Sequence, residues 1–345
     1  MRVALITGIT GQDGYYLARL LLDKGYKVHG VRQALAHDDR AHIKPLLDDI
    51  TLHYGDMTDQ TSLNNVMQAV QPDEVYNLAA QSHVGVSFAV PEYTMNVNGH
   101  GVKRLLDAMR AYAPKAKFYQ AGTSELFGNS PAPQNEETAF DPQSPYAEAK
   151  LYAHQTVVEY RQQYGLYAVN GILFNHESPK RGDDFVTQKI VKAACAILKG
   201  AQDILYLGNL DAVRDWGHAE DYVEGMWRML QQDAPDDYVL ATGTSCSVRD
   251  FVCEVFGALG HDIIWQGQGA EEVGMLLENN REVVRIAPEF YRPAEVHNLI
   301  GDSRKAQQNL DWSIRKTRYN LIQDMIDAEL NKDARAGGHI QRARA

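Results

Sequence analysis

The chain has 345 residues, enough for two domains or one large α/β unit, and its 44% hydrophobic and 23% charged residues are ordinary for a soluble globular protein. A net charge of −11 argues against a nucleic-acid partner, which needs a basic face, but leaves room for a nucleotide in a local pocket. Three cysteines without metal-ligand spacing, an N-terminus running from Met1-Arg2 straight into an apolar run, and no apolar run near the ~18 residues of a membrane helix point to a cytoplasmic setting, with no signal peptide, no membrane partner and no metal site.

Val3-Ala4-Leu5-Ile6 reads as a buried parallel strand, and Tyr16 to Leu22 as the helix that follows it. Further strands are expected at Lys27 to Val31, Thr51 to Asp56, Glu74 to Ala79, Lys117 to Gly122 and Tyr167 to Phe174. Helical patterns lie between them, at Leu63 to Ala69, Gly101 to Ala111 and Ala147 to Tyr164. Strands alternating with helices imply right-handed βαβ units, hence a Rossmann-type, doubly wound parallel α/β sheet. After about residue 176 the pattern changes to longer loops with clusters such as Ser178-Pro179-Lys180-Arg181-Gly182, Arg214-Asp215-Trp216-Gly217 and Tyr291-Arg292-Pro293-Ala294-Glu295. The expected division is a nucleotide-binding domain over 1–175 with segments returning near 213–245, a smaller C-terminal substrate-binding domain over most of 176–330, and a polar, flexible tail over 331–345.

Between the first strand and first helix stands Gly8-Ile9-Thr10-Gly11-Gln12-Asp13-Gly14. A strand, a glycine turn and a helix set backbone N–H groups and the positive helix end against a phosphate. The spacing G-x-x-G-x-x-G is one residue longer than the commoner dinucleotide fingerprint.

Tyr146-Ala147-Glu148-Ala149-Lys150 puts a tyrosine and a lysine four residues apart, on one helix face, just after the helix-start signal Ser144-Pro145. A tyrosine is a poor base near neutrality; a neighbouring lysine cation is expected to lower its pKa. Thr123-Ser124-Glu125 follows the strand ending at Gly122, and Glu125 supplies a second acid/base group that a simple alcohol dehydrogenase does not need.

This order of motifs resembles the extended short-chain dehydrogenase/reductase superfamily. Asn77-Leu78-Ala79-Ala80-Gln81-Ser82, the stretch Gly171 to Pro179, Arg214-Asp215-Trp216-Gly217-His218 and Arg292-Pro293-Ala294-Glu295-Val296 narrow the likeness to the GDP-mannose 4,6-dehydratase family, over residues 1 to about 330. The resemblance implies an internal redox reaction on GDP-mannose, giving a 4-keto-6-deoxy sugar. In it Tyr146 takes the 4-OH proton, Glu125 removes the C5 proton, Thr123 hydrogen-bonds the sugar hydroxyls, and Lys150 attends the tyrosine and the ribose. It also implies cofactor contacts from Gly8, Thr10, Gly11, Gln12, Asp13 and Gly14, from Asp56 and Met57, from Leu78, Ala79, Ala80 and Ser82, and from Tyr93, Lys150, His176 and Arg181. For the substrate it implies Ser124, Asn175, Lys189 and Asn209, diphosphate contacts from Arg214 and Arg292, and a nucleoside contact from Glu295.

The second strand ends in Arg32 with no carboxylate to accept a ribose 2′-OH, so NADP is the expected cofactor. Where the family typically carries an Arg-Arg-Ser-Ser-like loop that helps pair subunits, this chain has Arg32-Gln33-Ala34-Leu35-Ala36, with Arg40 as the next cation. The family implies a homo-oligomer, dimer or tetramer. The sequence leaves open a dehydratase for another GDP-sugar such as a GDP-heptose, a reductase or epimerase of the superfamily, and a non-catalytic NADP-sensing protein.

Overall fold

A strand buried on both faces is expected to be mainly apolar, and the middle of the first strand meets that demand: Ala4, Leu5 and Ile6 are each at most 1% exposed. Each such leucine or isoleucine contributes ~1.5–3 kcal/mol by leaving water. The computed structural model of the protein describes residues 1–33, 41–291, 296 and 298–342, the side chains of 333–342 excepted. Arg40, Arg292 and Glu295 therefore lie outside the described residues, as does the Ala34-Leu35-Ala36 part of the loop after Arg32.

In chain order the strands are β1 (Val3–Thr7), β2 (Lys27–Arg32), β3 (Ile50–Tyr54), β4 (Glu74–Asn77), β5 (Lys117–Ala121), β6 (Ala168–Leu173), β7 (Asn175–Glu177), β8 (Leu205–Leu207), β9 (Val213–Arg214), β10 (Trp216–His218), β11 (Tyr238–Leu240), β12 (Cys246–Ser247), β13 (Ile263–Gln266), β14 (Val273–Leu276) and β15 (Glu282–Ile286). The helices are α1 (Gln12–Asp23), α2 (Gln60–Val70), α3 (Val84–Ser87), α4 (Pro91–Met95), α5 (Gly101–Tyr112), α6 (Pro145–Tyr164), α7 (Val186–Leu198), α8 (Ala219–Met229), α9 (Val248–Ala258), α10 (Arg304–Leu310) and α11 (Arg318–Arg342).

Seven strands form one sheet in the order β11-β6-β5-β4-β1-β2-β3, with every pairing parallel. One face is covered by α1, α8 and α10 through Leu17, Leu21, Met226 and Leu310; the other is covered by α2, α5 and α6 through Met67, Leu106 and Val157. This is the expected doubly wound α/β fold. The strand order reverses between β1 and β4, and in such sheets the crevice at that point, beyond the strand C-termini, is where ligands bind.

A second, mixed sheet, β13-β14-β15-β8, shares a separate core with α7, α9 and α11 built on Ile190, Val191, Phe251, Val255, Leu321 and Met325. Two short pairs, β7 with β10 and β9 with β12, complete the strand pairings, and Trp216 of β10 and Cys246 of β12 belong to this second core. Among the described residues no helix is long and apolar enough to cross a membrane.

Some element ends differ from the sequence expectation. The third strand is Ile50–Tyr54 rather than 51–56, and the fourth stops at Asn77, so that Leu78 to Ser82 leave the sheet. The long helix starts at Pro145, two residues earlier than expected, because the Ser144 hydroxyl accepts the Ala147 N–H at 3.1 Å and proline suits the first helical position.

Candidate active site

Gly8 takes φ +67°, and a β-carbon there would stand 2.8 Å from the Ala79 nitrogen. Gly14, in the first turn of α1, lies where a β-carbon would meet the Ile9 carbonyl oxygen at 2.4 Å. The first glycine makes the turn; the last lets α1 press onto the chain leaving β1. The result is a cleft of about 330 Å³ at the switch point.

Of the expected cofactor residues, Gly8, Thr10, Gly11, Gln12, Asp13, Gly14, Arg32, Met57, Leu78, Ala79, Ala80, Ser82, Tyr93 and Arg181 line this cleft. Asp56, Lys150 and His176 do not form its wall. Asp56 lies one contact away, accepting from Gln33 Nε2 at 3.0 Å and from the Thr58 backbone and hydroxyl at 2.8 and 2.7 Å. The cleft also includes Thr7, Val31, Gln33, Gly55, Gln81 and Val97, which the sequence reading did not select. Thr7 and Val31 could have been found from their place at or next to the C-terminal end of a predicted parallel strand.

The donor set suits a dinucleotide. The α1 N-terminus and the Arg32 and Arg181 guanidinium groups attract phosphate, and Gln81 Oε1 is a buried acceptor in the wall without a hydrogen-bond partner. Beneath the turn, His176 Nε2 meets Asp13 Oδ2 at 2.8 Å and Nδ1 meets the Phe174 carbonyl at 2.8 Å. Burial alone would lower the pKa of His176 and raise that of Asp13, but their mutual charge and hydrogen bond reverse both, leaving His176 above and Asp13 below the ordinary value. Arg181 is held by the buried Glu177 carboxylate at 2.9 Å, with its guanidinium carbon 3.5 Å from the Phe185 ring centroid.

The four expected catalytic residues come together from two segments. Thr123 caps a single 3₁₀ turn over Ser124–Leu126, accepting the Glu125 N–H at 3.2 Å, just beyond β5. Tyr146 and Lys150 come from the first turns of α6. Thr123, Glu125, Tyr146 and Lys150 are each between 4% and 8% exposed, so they are shielded yet reachable. Lys150 Nζ donates to the Ala121 carbonyl at 2.8 Å and stands 5.8 Å from the Tyr146 ring centroid.

The titration of this pair corrects the sequence expectation. Burial pushes the Tyr146 hydroxyl up to about 12, opposed by a hydrogen bond with Thr123 and aided by the nearby Glu125 charge. The same burial brings Lys150 down to about 8, although Asp13 favours its cation. Desolvation is the largest cause at both groups.

The expected substrate residues are more dispersed. Ser124 is buried at the start of the same 3₁₀ turn. Asn175 opens β7, with its Oδ1 buried and unpartnered. Lys189 on α7 stands over the Phe290 ring at 3.4 Å, and Gly208, next to Asn209, packs against the Phe290 carbonyl. Arg214 is buried at the end of β9, one N–H donating to the Val213 carbonyl at 2.9 Å, while Val213 also accepts the Leu299 N–H at 3.3 Å. Asn175, Lys189, Asn209 and Arg214 are not part of the cleft wall.

The family profile described as GDP-mannose 4,6 dehydratase matches residues 5–325. The chain is 52% identical to a GDP-mannose 4,6-dehydratase of Sinorhizobium fredii (strain HH103), over 96% of this chain and 97% of that one. It is 50% identical to a Homo sapiens GDP-mannose 4,6 dehydratase, over 95% and 91% of the two chains. Among solved structures, dTDP-glucose 4,6-dehydratase from Bacillus anthracis in complex with NAD superposes with a TM-score of 0.79 at 19% identity, covering 97% of this chain and 98% of that one; this likeness bears on the fold alone.

Proposed function

The chain belongs to the GDP-mannose 4,6-dehydratase family, and from that premise we propose that it converts GDP-mannose to GDP-4-keto-6-deoxymannose by an internal redox cycle with bound NADP. The observation that carries the reading is the convergence of Thr123, Glu125, Tyr146 and Lys150 at the C-terminal end of β5, with the glycine-turn cleft lying at the C-terminal ends of β1, β2 and β4 of the same sheet.

When bound, the dinucleotide supplies a hydride acceptor and then a hydride donor, so the cycle consumes none. As its phenolate, the form that a cationic nicotinamide would favour against the effect of burial, Tyr146 would take the proton of the sugar 4-OH, with Thr123 hydrogen-bonded to its oxygen. A carbonyl at C4 acidifies the C5 hydrogen; Glu125 removes that proton and passes it to the C6 hydroxyl, which leaves as water, and the C5–C6 double bond so formed is closed by return of the hydride to C6 and of a proton to C5. Lys150 holds the ribose side of the site, fixed by Ala121. The low exposure of all four groups keeps bulk water from competing for these protons.

Three features support NADP over NAD. β2 ends in Arg32, Arg32 lines the cleft, and the neighbouring Asp56 carboxylate is engaged by Thr58 and Gln33. For the substrate, Lys189 and the Gly208-Asn209 loop both pack on Phe290, which leads into the stretch carrying Arg292 and Glu295. Val213, beside Arg214, binds Leu299 after that stretch. The family resemblance supports a shared diphosphate and nucleoside site built from Asn175, Lys189, Asn209, Arg214, Arg292 and Glu295. The reading includes a homo-oligomer, dimer or tetramer, in the cytoplasm, where Cys195, Cys246 and Cys253 as thiols outside disulfides suit a reducing medium. Incubating the protein with GDP-mannose and NADP and weighing the product tests the whole. Loss of one water is expected, and an unchanged mass, with GDP-heptose dehydrated instead, would overturn the substrate.

A further inference from the structure

Strands buried on both faces carry apolar side chains, and one transverse row of the central sheet departs from that rule. Thr7 on β1, Asn77 on β4, Gln120 on β5 and Asn170 on β6 stand opposite one another in register. Each is at most 1% exposed. Three of them form a continuous chain of hydrogen bonds. Thr7 Oγ1 accepts the Ala79 N–H at 3.2 Å and donates to Asn77 Oδ1 at 2.6 Å. Asn77 Nδ2 donates to Gln120 Oε1 at 2.7 Å. Gln120 Nε2 donates to the Ala121 carbonyl at 3.0 Å, and that same oxygen takes Lys150 Nζ at 2.8 Å. Asn170 does not continue the chain; its amide donates to the His154 carbonyl and to Asp237 Oδ1, at 3.3 and 3.2 Å.

We propose that Gln120 is a positioning residue for Lys150, and that the row Thr7–Asn77–Gln120 ties the lysine ammonium to the wall of the dinucleotide cleft. Burying two carboxamides in a sheet core costs free energy that an apolar row would avoid, so the row calls for a physical reason. Its two ends supply one. Thr7 and the Ala79 it holds both line the cleft, and the far end meets Lys150. A lysine ammonium is a point charge on a flexible four-carbon stem, with little directional preference of its own. A carbonyl oxygen has two lone pairs, and with Gln120 on one of them the other is fixed for Lys150. Fully satisfied buried networks of this kind rigidify what they join.

The inference rests on the reading of Lys150 as a dinucleotide-ribose contact, so its test includes binding as well as turnover. Gln120→Met keeps the side-chain length and removes both amide bonds. Asn170→Val is the control, from the same row with the same burial but no link to Ala121. For Gln120→Met, a rise of roughly three- to ten-fold in the Kd for NADP by titration calorimetry is expected, together with a fall of about ten-fold in kcat at an unchanged KM for GDP-mannose. Asn170→Val should lower the melting temperature and leave NADP binding and kcat near wild type. If Gln120→Met does not fold, Asn77→Ser, which releases the Gln120 amide, should give the same split. If Gln120→Met behaves as Asn170→Val does, losing stability alone, the row is structural and the proposal fails. If the wild type does not turn over GDP-mannose, the dehydratase reading fails instead, and the NADP titration still decides this one.

Discussion

His176 Nε2 lies 2.8 Å from Asp13 Oδ2, and both ring nitrogens of His176 face acceptors, so the imidazole is held as a cation under the glycine turn. The pair joins the first turn of α1 to β7, more than 160 residues apart in the chain. Its ring also stacks on Tyr222, centroids 4.5 Å apart, which fixes its plane.

The pair makes stability depend on pH with a defined sign. His176 titrates above its unfolded value of 6.5, so its contribution is complete below that pH and is lost as pH rises through the raised folded value. Asp13 titrates below 3.8, so its contribution is complete above that pH and is lost as pH falls through the lowered folded value. Asp13→Asn, which strands a mostly buried histidine, should cost about 3–5 kcal/mol in the window between these two values. Melting curves from pH 4 to 9 should show the gap between wild type and variant closing at the alkaline end; a gap of constant size would contradict the assignment.

Tyr146→Phe and Glu125→Gln should stop the chemistry at different points. The first removes the group that accepts the 4-OH proton, so no step proceeds. The second leaves C4 oxidation intact and blocks loss of the C5 proton, so a 4-keto sugar that retains the C6 hydroxyl should accumulate. Each loss should be on the order of 10²–10⁴-fold in turnover. Running the reaction in D₂O separates them by mass: neither variant should take up deuterium at C5, and only Glu125→Gln should form the ketone. Dehydration at a near-normal rate in Glu125→Gln would remove that residue from its role.

Cofactor choice should turn on Arg32. The wild type should bind NADP more tightly than NAD, and Arg32→Ala should narrow the difference by weakening NADP alone. A charge-assisted contact is worth ~1.5–3 kcal/mol, so NADP affinity should drop roughly 10- to 150-fold. Calorimetric titration of both dinucleotides into both proteins measures this, and equal affinities in the wild type would refute it.

Substrate capture should turn on Arg214 and on Arg292, which lies outside the described residues. Either change to alanine should weaken GDP-mannose binding by roughly the same 10- to 150-fold and leave NADP binding intact. GDP should compete with the substrate and UDP much less well. Arg214 is buried at 6% exposure with a bond to Val213, so a stability measurement must accompany the titration. If GDP affinity is unchanged while stability falls, Arg214 is a structural residue.

Much of the site is legible in the sequence because its groups sit close together along the chain. The glycine turn, the Thr123-Ser124-Glu125 turn and the Tyr146–Lys150 pair each span a few residues, and local geometry fixes how they face. The alternation of apolar runs with helical patterns likewise determines a parallel sheet, since strands buried on both faces and joined by helices have few other ways to hide their surface. What the sequence could not decide are relationships that exist only once distant segments are packed. These include the strand order that puts the cleft between β1 and β4, the His176–Asp13 pair, and the row from Thr7 through Asn77 and Gln120 to the carbonyl that holds Lys150. The protonation of Tyr146 and Lys150 belongs here too. Spacing along a helix brings a lysine charge near Tyr146, but only the tertiary structure removes water from both groups. That desolvation is the larger effect, pushing the tyrosine up to about 12 and the lysine down to about 8.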